Sequence, residues 1–184
     1  QTLNDAREIS RYFLPKTQAW REIWVDGKRV DADVNEEETF YGDVYMPRKF
    51  KIGIALPPVN DIDVYSQDLG FIAIPNADNT ALEGYNLVVG GGMGCTHGEL
   101  HTYPRLGNVI GFFTPEHLIP VAEAVLGIQR DHGNREDRKQ ARFKYTVDCL
   151  GLDWIEAEVN KRVGITLAPA RDYTFTQNGD RYGW

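Results

Sequence analysis

Two lysines stand two residues apart in the stretch "MPRKFKIGIALPP", Met46 to Pro58, at Lys49 and Lys51. In an extended chain such side chains share one face about 7 Å apart. Phe50, Ile52, Ile54 and Leu56 take the opposite face, as a core strand requires. Two ammonium groups at that spacing repel, and burying them unpaired is very costly. Either this strand end faces solvent or an anion sits between the lysines. Gly53 and Ala55 continue the lysine face with almost no side chain, which leaves room for something flat and large. Arg48 adds a third cation at the strand entrance.

Three other clusters could carry chemistry. Gly90, Gly91 and Gly92, with Gly94, follow the apolar run "YNLVV". A dinucleotide fingerprint needs G-x-G-x-x-G opening an amphipathic helix; here His97 takes the sixth position and "HGELHTYPRL" has no helical periodicity, so a glycine-loop nucleotide binder fails. The glycines offer close backbone approach and N–H groups to a carboxylate or a ring face, or they form a plain turn. Arg135, Arg138 and Arg142 fall on one stripe of an expected helix. Their forks suit carboxylates, although a solvated face with Glu136 and Asp137 as partners accounts for them equally well. "CTHGELH" places Cys95, His97, Glu99 and His101 close together, but Gly98 disfavours the helix a His-x-x-x-His zinc site needs, and no metal site is assigned. No Ser–His–Asp arrangement or nucleophile elbow is evident.

The elements that must position these groups read as follows. Asn4 caps a helix through "DAREISRYFL" that Pro15 stops. "AWREIWVDGKRV" gives a strand, an Asp26-Gly27 turn and a short return strand. An acidic loop leads to the lysine strand, about Lys49 to Leu56, ended by Pro57-Pro58. "LGFIAI" and "YNLVV" are further strands, and "GGGMGCTHGELHTYPRLG" is a long irregular segment. Thr114-Pro115 opens the helix "EHLIPVAEAVLGIQRDH", with Pro120 predicting a kink or delayed start. "REDRKQARFKYTVDCLG" gives a second late helix closed by Gly151, and "DWIEAEVNKRVG" a third. The fold class is α/β (α+β): a mixed β-sheet of about five strands with helices packed on it.

At 184 residues, 42% hydrophobic and 26% charged, the chain has the composition of one soluble globular unit. No run approaches a membrane span, and the first residues, which carry no initiator Met, are expected to begin partway into a longer polypeptide. Net charge is −7, against nucleic acid as a partner. The charge is uneven, however: Arg130 to Lys144 holds six bases against three acids, which suits a small anionic ligand. Cys95 and Cys149 are the only cysteines; they exclude a four-cysteine metal site within this chain and fit a reducing, cytoplasmic compartment. Reduced thiols and a disulfide between them both stay open.

Taken together, "LPKTQAWREIW", "PRKFKI", "NDIDVYSQDLGFIAI", "GYNLVVGGGMGCTH", "TYPRLGNVIGF", "AEAVLGIQRDHGNREDRKQARFKYTVDCLG" and "GDRYGW" resemble the assimilatory sulfite reductase haemoproteins and the related siroheme nitrite reductases. The stretches occur in the family's order and cover nearly the whole chain. The resemblance implies six-electron reduction of sulfite to sulfide at a siroheme coupled to a 4Fe-4S cluster, in a duplicated protein of which residues 1–184 form a single siroheme-contacting module. The loop "LPPVNDID" holds Asn60, Asp61 and Asp63 where the second module of the family carries cluster cysteines, so the cluster ligands are expected outside this chain.

By the same resemblance, Lys49 and Lys51 point at the siroheme face where sulfite binds, and further arginines come from segments before Gln1. Arg142 is the foremost candidate for a siroheme carboxylate, with Arg48, Arg105 and the Gly90, Gly91 and Gly92 backbone behind it. Implied partners are sulfite, the remaining modules of the same reductase, and ferredoxin or an NADPH-dependent flavoprotein as electron donor. A nitrite reductase module is the alternative within the class. A non-catalytic domain for binding an anionic cofactor or for assembly is the alternative outside it.

Overall fold

A computed structural model of the chain describes residues 1–15, 24–29, 38–42 and 44–179. Its centre is a mixed four-stranded sheet made of β3 (Ile52–Ala55), β4 (Leu69–Pro75), β5 (Leu82–Val89) and β6 (Asn108–Phe113), in that spatial order. Strand β3 pairs parallel to β4, and the other neighbours pair antiparallel. A separate two-stranded ribbon, β1 (Trp24–Val25) and β2 (Lys28–Arg29), turns through Asp26 and Gly27, both at positive φ. That is the geometry an Asp-Gly hairpin turn demands. The mixed α/β class expected from the sequence is therefore present, as four strands in one sheet and two in a ribbon.

Both faces of the sheet are covered, which is why β4 reads as a continuous apolar run instead of an alternating one. Leu69, Phe71 and Ala73 face the main core, beneath α1 (Thr2–Tyr12), α2 (Leu118–His132), α3 (Phe143–Leu150) and α4 (Leu152–Val163). Ile72 and Ile74 face a smaller cluster with Ala55, Val64, Val88 and Phe112. Strand β6 lies within a stretch the sequence leaves unassigned. Among the described residues no helix is long and apolar enough to cross a membrane.

Three expectations need correction. Helix α1 is capped at Gln1, not Asn4. The late helix expected from Arg135 begins only at Phe143. Before it, Asn134 Oδ1 accepts the amides of Glu136 and Asp137, and Asp137 Oδ1 accepts that of Lys139. These side-chain acceptors capture amides that a helix would use and leave only a 3-10 turn at Arg138–Gln140. Last, the lysine strand is shorter than its pattern: Lys49 and Lys51 precede β3. Pro120, as expected, goes with a delayed start, since Pro115–His117 is a 3-10 turn ahead of α2.

Candidate functional site

Phe50 packs on Phe143 with ring centroids 5.3 Å apart, so its neighbours Lys49 and Lys51 turn to the other side of the chain. There the two lysines differ. The Lys49 side chain is exposed and makes no hydrogen bond or ion pair among the described residues. Lys51 is half-buried, and its Nζ donates to the Ser66 carbonyl at 3.1 Å. The Lys51 amide donates to Asp68 Oδ2 at 2.9 Å, and its carbonyl accepts from Leu69 N at 3.0 Å. This backbone is fixed on both sides.

The space expected beside Gly53 and Ala55 is not available to a ligand. A Cβ at Gly53 would lie 2.5 Å from Ile62 Cδ1 and 3.1 Å from Gln67 Cγ, and Ala55 is fully buried. The chain's own loop fills the gap, so the small residues there serve close packing.

Open space lies instead beside the basic segment. A cleft of about 400 Å³ is lined by Arg48, Arg138, Lys139 and Arg142, with Cys95, Thr102 and Tyr145 among its other walls. Lys139 is paired with Glu99, and Arg142 Nε stands 3.9 Å from Asp68 Oδ1. Arg48 and Arg138 have no ion-pair partner among the described residues. Arg48 and Arg138 thus bring two uncommitted guanidinium groups to an opening that Asp137 also lines, chemistry able to pair with carboxylates or small oxyanions. Arg135, expected on the same stripe, points elsewhere: its Nη atoms donate to the carbonyls of Val44, Tyr45 and Arg130. It thereby ties down the chain leading to Arg48.

The glycine run is committed to the fold. Gly90 N donates to Asp68 O, Gly91 N to Gln67 O and Gly92 N to Arg105 O, at 2.9, 3.0 and 2.8 Å. Arg105 is equally engaged: Nε meets Asp148 Oδ1 at 2.7 Å, and Nη1 donates to the Gly90 and Leu106 carbonyls. A Cβ at Gly91 would sit 2.2 Å from the Tyr65 carbonyl oxygen and 2.5 Å from that of Gln67. Because those neighbours are backbone, Gly91→Ala should destabilise the protein by about 3 kcal/mol. Gly94→Ala, where a Cβ meets nothing within 4 Å, should be silent. Thermal denaturation of the two variants checks both.

Sequence reasoning passed over the residue that shapes this region. Lys144 is 1% exposed, yet its ammonium donates to the carbonyls of Gly92 (3.1 Å), Gly94 (2.7 Å) and Tyr103. It also lies 4.8 Å from the centre of the Tyr145 ring. Desolvation pulls its pKa below the usual lysine value, with the Arg142 charge acting in the same direction. The available signal was a lysine flanked by Phe143 and Tyr145 on a helix that is otherwise buried at its start.

The "CTHGELH" group does not converge. Gly98 turns with φ 78°, and Glu99 and Asp137 take His101 between them at 3.6 and 3.5 Å. Among the described residues no group of three or more His, Cys, Asp or Glu is placed to hold a metal ion. Cys95 and Cys149 are free and exposed.

The fold is thus a mixed sheet under helices, with a guanidinium-lined cleft at the basic segment. The profile described as "Nitrite and sulphite reductase 4Fe-4S domain" matches residues 6–167, and the chain belongs to that family. Among curated proteins it is 57% identical over 180 residues to the "Sulfite reductase [NADPH] hemoprotein beta-component" of Staphylococcus saprophyticus, covering 97% of this chain and 31% of that protein. The protein of the same name from Anoxybacillus flavithermus is 58% identical over 180 residues, again 97% of this chain and 31% of the relative. The chain thus spans about a third of the length of these relatives. Among solved structures, Mycobacterium tuberculosis NirA protein superposes with a TM-score of 0.58 at 24% identity, over 70% of this chain and 22% of that one. That likeness speaks to the fold alone.

Proposed function

We propose that the chain is one module of a siroheme-dependent sulfite reductase, which carries out the six-electron reduction of sulfite to sulfide. The observation that carries this reading is the cleft in which Arg48, Arg138, Lys139 and Arg142 converge, within a chain of this family. Siroheme, rimmed with carboxylates, suits such a lining. Arg48 and Arg142 would hold carboxylates at the cleft, with Arg138 beside them. The Gly90, Gly91 and Gly92 backbone, with Arg105 under it, would form a close wall and not a set of anion donors, since its amides are already used.

Siroheme and its coupled 4Fe-4S cluster, when bound, supply the electrons and the iron at which the oxyanion is reduced. The cluster ligands are assigned to parts of the longer protein outside residues 1–184. Of this chain's residues, Lys51 Nζ has one N–H committed to Ser66, leaving two to hold sulfite oxygens. Each oxygen that leaves as water takes up two protons, and Lys51 Nζ and Lys49 Nζ would each deliver one. The word NADPH in the relatives' names favours a flavoprotein over ferredoxin as donor, and a cytoplasmic setting follows from that donor.

The test uses the full-length gene product. It should purify coloured, with siroheme and iron, and should reduce sulfite with reduced methyl viologen. A colourless protein lacking both groups would sink the reading. Nitrite reduced well in place of sulfite would turn it into the nitrite reductase alternative.

A further inference from the structure

Asp68 immediately precedes β4, with its side chain only 1% exposed. Three groups assigned above to the site converge on this residue, from three different elements. Its Oδ2 accepts the Lys51 amide at 2.9 Å, ahead of β3. Its backbone carbonyl accepts the Gly90 amide at 2.9 Å, beyond β5. Its Oδ1 stands 3.9 Å from Nε of Arg142, the N-cap residue of α3, and the Arg142 side chain is 19% exposed. Both Oδ1 and Nε are buried and without a hydrogen-bond partner. A separation of 3.9 Å is short for a bridging water, which needs room for two hydrogen bonds, so the two groups face each other as charges. A buried guanidinium without a counter-charge would turn out to solvent.

We infer that Asp68 is a positioning residue: its carboxylate neutralises Arg142 inside the fold and holds that guanidinium at the cleft, while the same side chain fixes the backbone of Lys51. The inference rests on the reading that Arg142 and Lys51 serve the bound cofactor and anion. Burial raises the Asp68 pKa, opposed by the Lys51 amide and the charges of Arg142 and Lys51. Lys144 is the remaining cation whose charge reaches Asp68.

The experiment is a double-substitution cycle in the full-length protein, read by siroheme per polypeptide after purification and by KM and kcat for sulfite. Asp68→Asn keeps an acceptor for the Lys51 amide while removing the charge and turning an NH2 in place of Oδ1 toward Arg142. It should lower siroheme content and raise KM about tenfold, with a smaller change in kcat. Arg142→Ala should show a comparable loss, and the Asp68→Asn/Arg142→Ala pair should be no worse than Arg142→Ala alone. If Asp68→Asn alone fails to fold, the pair should restore soluble protein, because no buried charge is then left unmatched; a pair that also fails to fold overturns the inference. Additive losses in the pair, or an Asp68→Asn protein equal to the parent beside a damaged Arg142→Ala, overturn it and leave the functional reading standing. A silent Arg142→Ala overturns the reading at this residue and the inference with it.

Discussion

Lys51→Met in the full-length protein is expected to reduce sulfite turnover by about 10²–10³-fold with siroheme content unchanged. The size of the effect follows from how the lysine is held. Its amide and carbonyl are both bonded, to Asp68 and Leu69. Its Nζ is aimed by the Ser66 carbonyl, so the ammonium is set before substrate arrives and costs little to organise during reaction. Lys49 lacks such anchoring and is exposed, and its neutralisation should cost about tenfold, closer to the loss of a single proton-transfer contribution. Lys51→Arg should recover only part of the rate, because a planar fork replaces a compact ammonium. Steady-state rates with reduced methyl viologen, alongside the visible spectrum, decide the matter. Parent-like kinetics in Lys51→Met would leave Lys51 with a structural role alone.

The second large effect is expected at Lys144. Lys144→Met keeps most of the side-chain volume and removes the ammonium, leaving the carbonyls of Gly92, Gly94 and Tyr103 without their donor. Gly92 still pairs with Arg105 through both backbone groups, so the damage falls mainly on the Gly94 and Tyr103 side. Hydrogen bonds from a charged donor contribute about 1.5–3 kcal/mol each; water can replace part of this at Gly94 and Tyr103, which are exposed, so the net loss should be about 3 kcal/mol. That corresponds to faster amide exchange by about two orders of magnitude at Thr102 and Arg105, while the amides of β4 stay protected. Unchanged exchange at both residues would show that the ammonium does not hold this segment.

Much of the scaffold was legible because it is written in local patterns. The uninterrupted apolar run of β4, the "YNLVV" end of β5, the Asp26-Gly27 turn, and the period of α2 and α4 all identify themselves. What escaped depends on partners distant in sequence. The run "NVIGFF" is too short and too close to Gly107 to stand out, and it becomes β6 by pairing with β5. The late basic helix satisfied the 3.6-residue period, yet Asn134 and Asp137 capture its first amides. Gly53 looked like a vacancy because nothing in the adjacent sequence shows Ile62 and Gln67 folding back onto it.

The candidate site divides in the same way. Lys49, Lys51, Arg48 and Arg142 could be picked out by residue type and by a family resemblance. Asp68 and Lys144 could not, because their partners are distant in the chain: Arg142 for Asp68, and Gly92, 52 positions away, for Lys144. A buried charge is visible only once its surroundings are folded.

The bonding of the Gly90–Gly92 amides bears on how such a module can diverge. Where an anion is cradled by main-chain N–H groups, as at a phosphate-binding loop, recognition belongs to the backbone and substitutions scarcely alter it. Here those amides serve Asp68, Gln67 and Arg105. On the proposed reading, anion recognition at the cleft would come from side chains such as Arg48, Arg138 and Arg142, each of which a single codon change can replace. Oxyanion preference would then drift among descendants of one ancestor while the buried glycine run stays rigid.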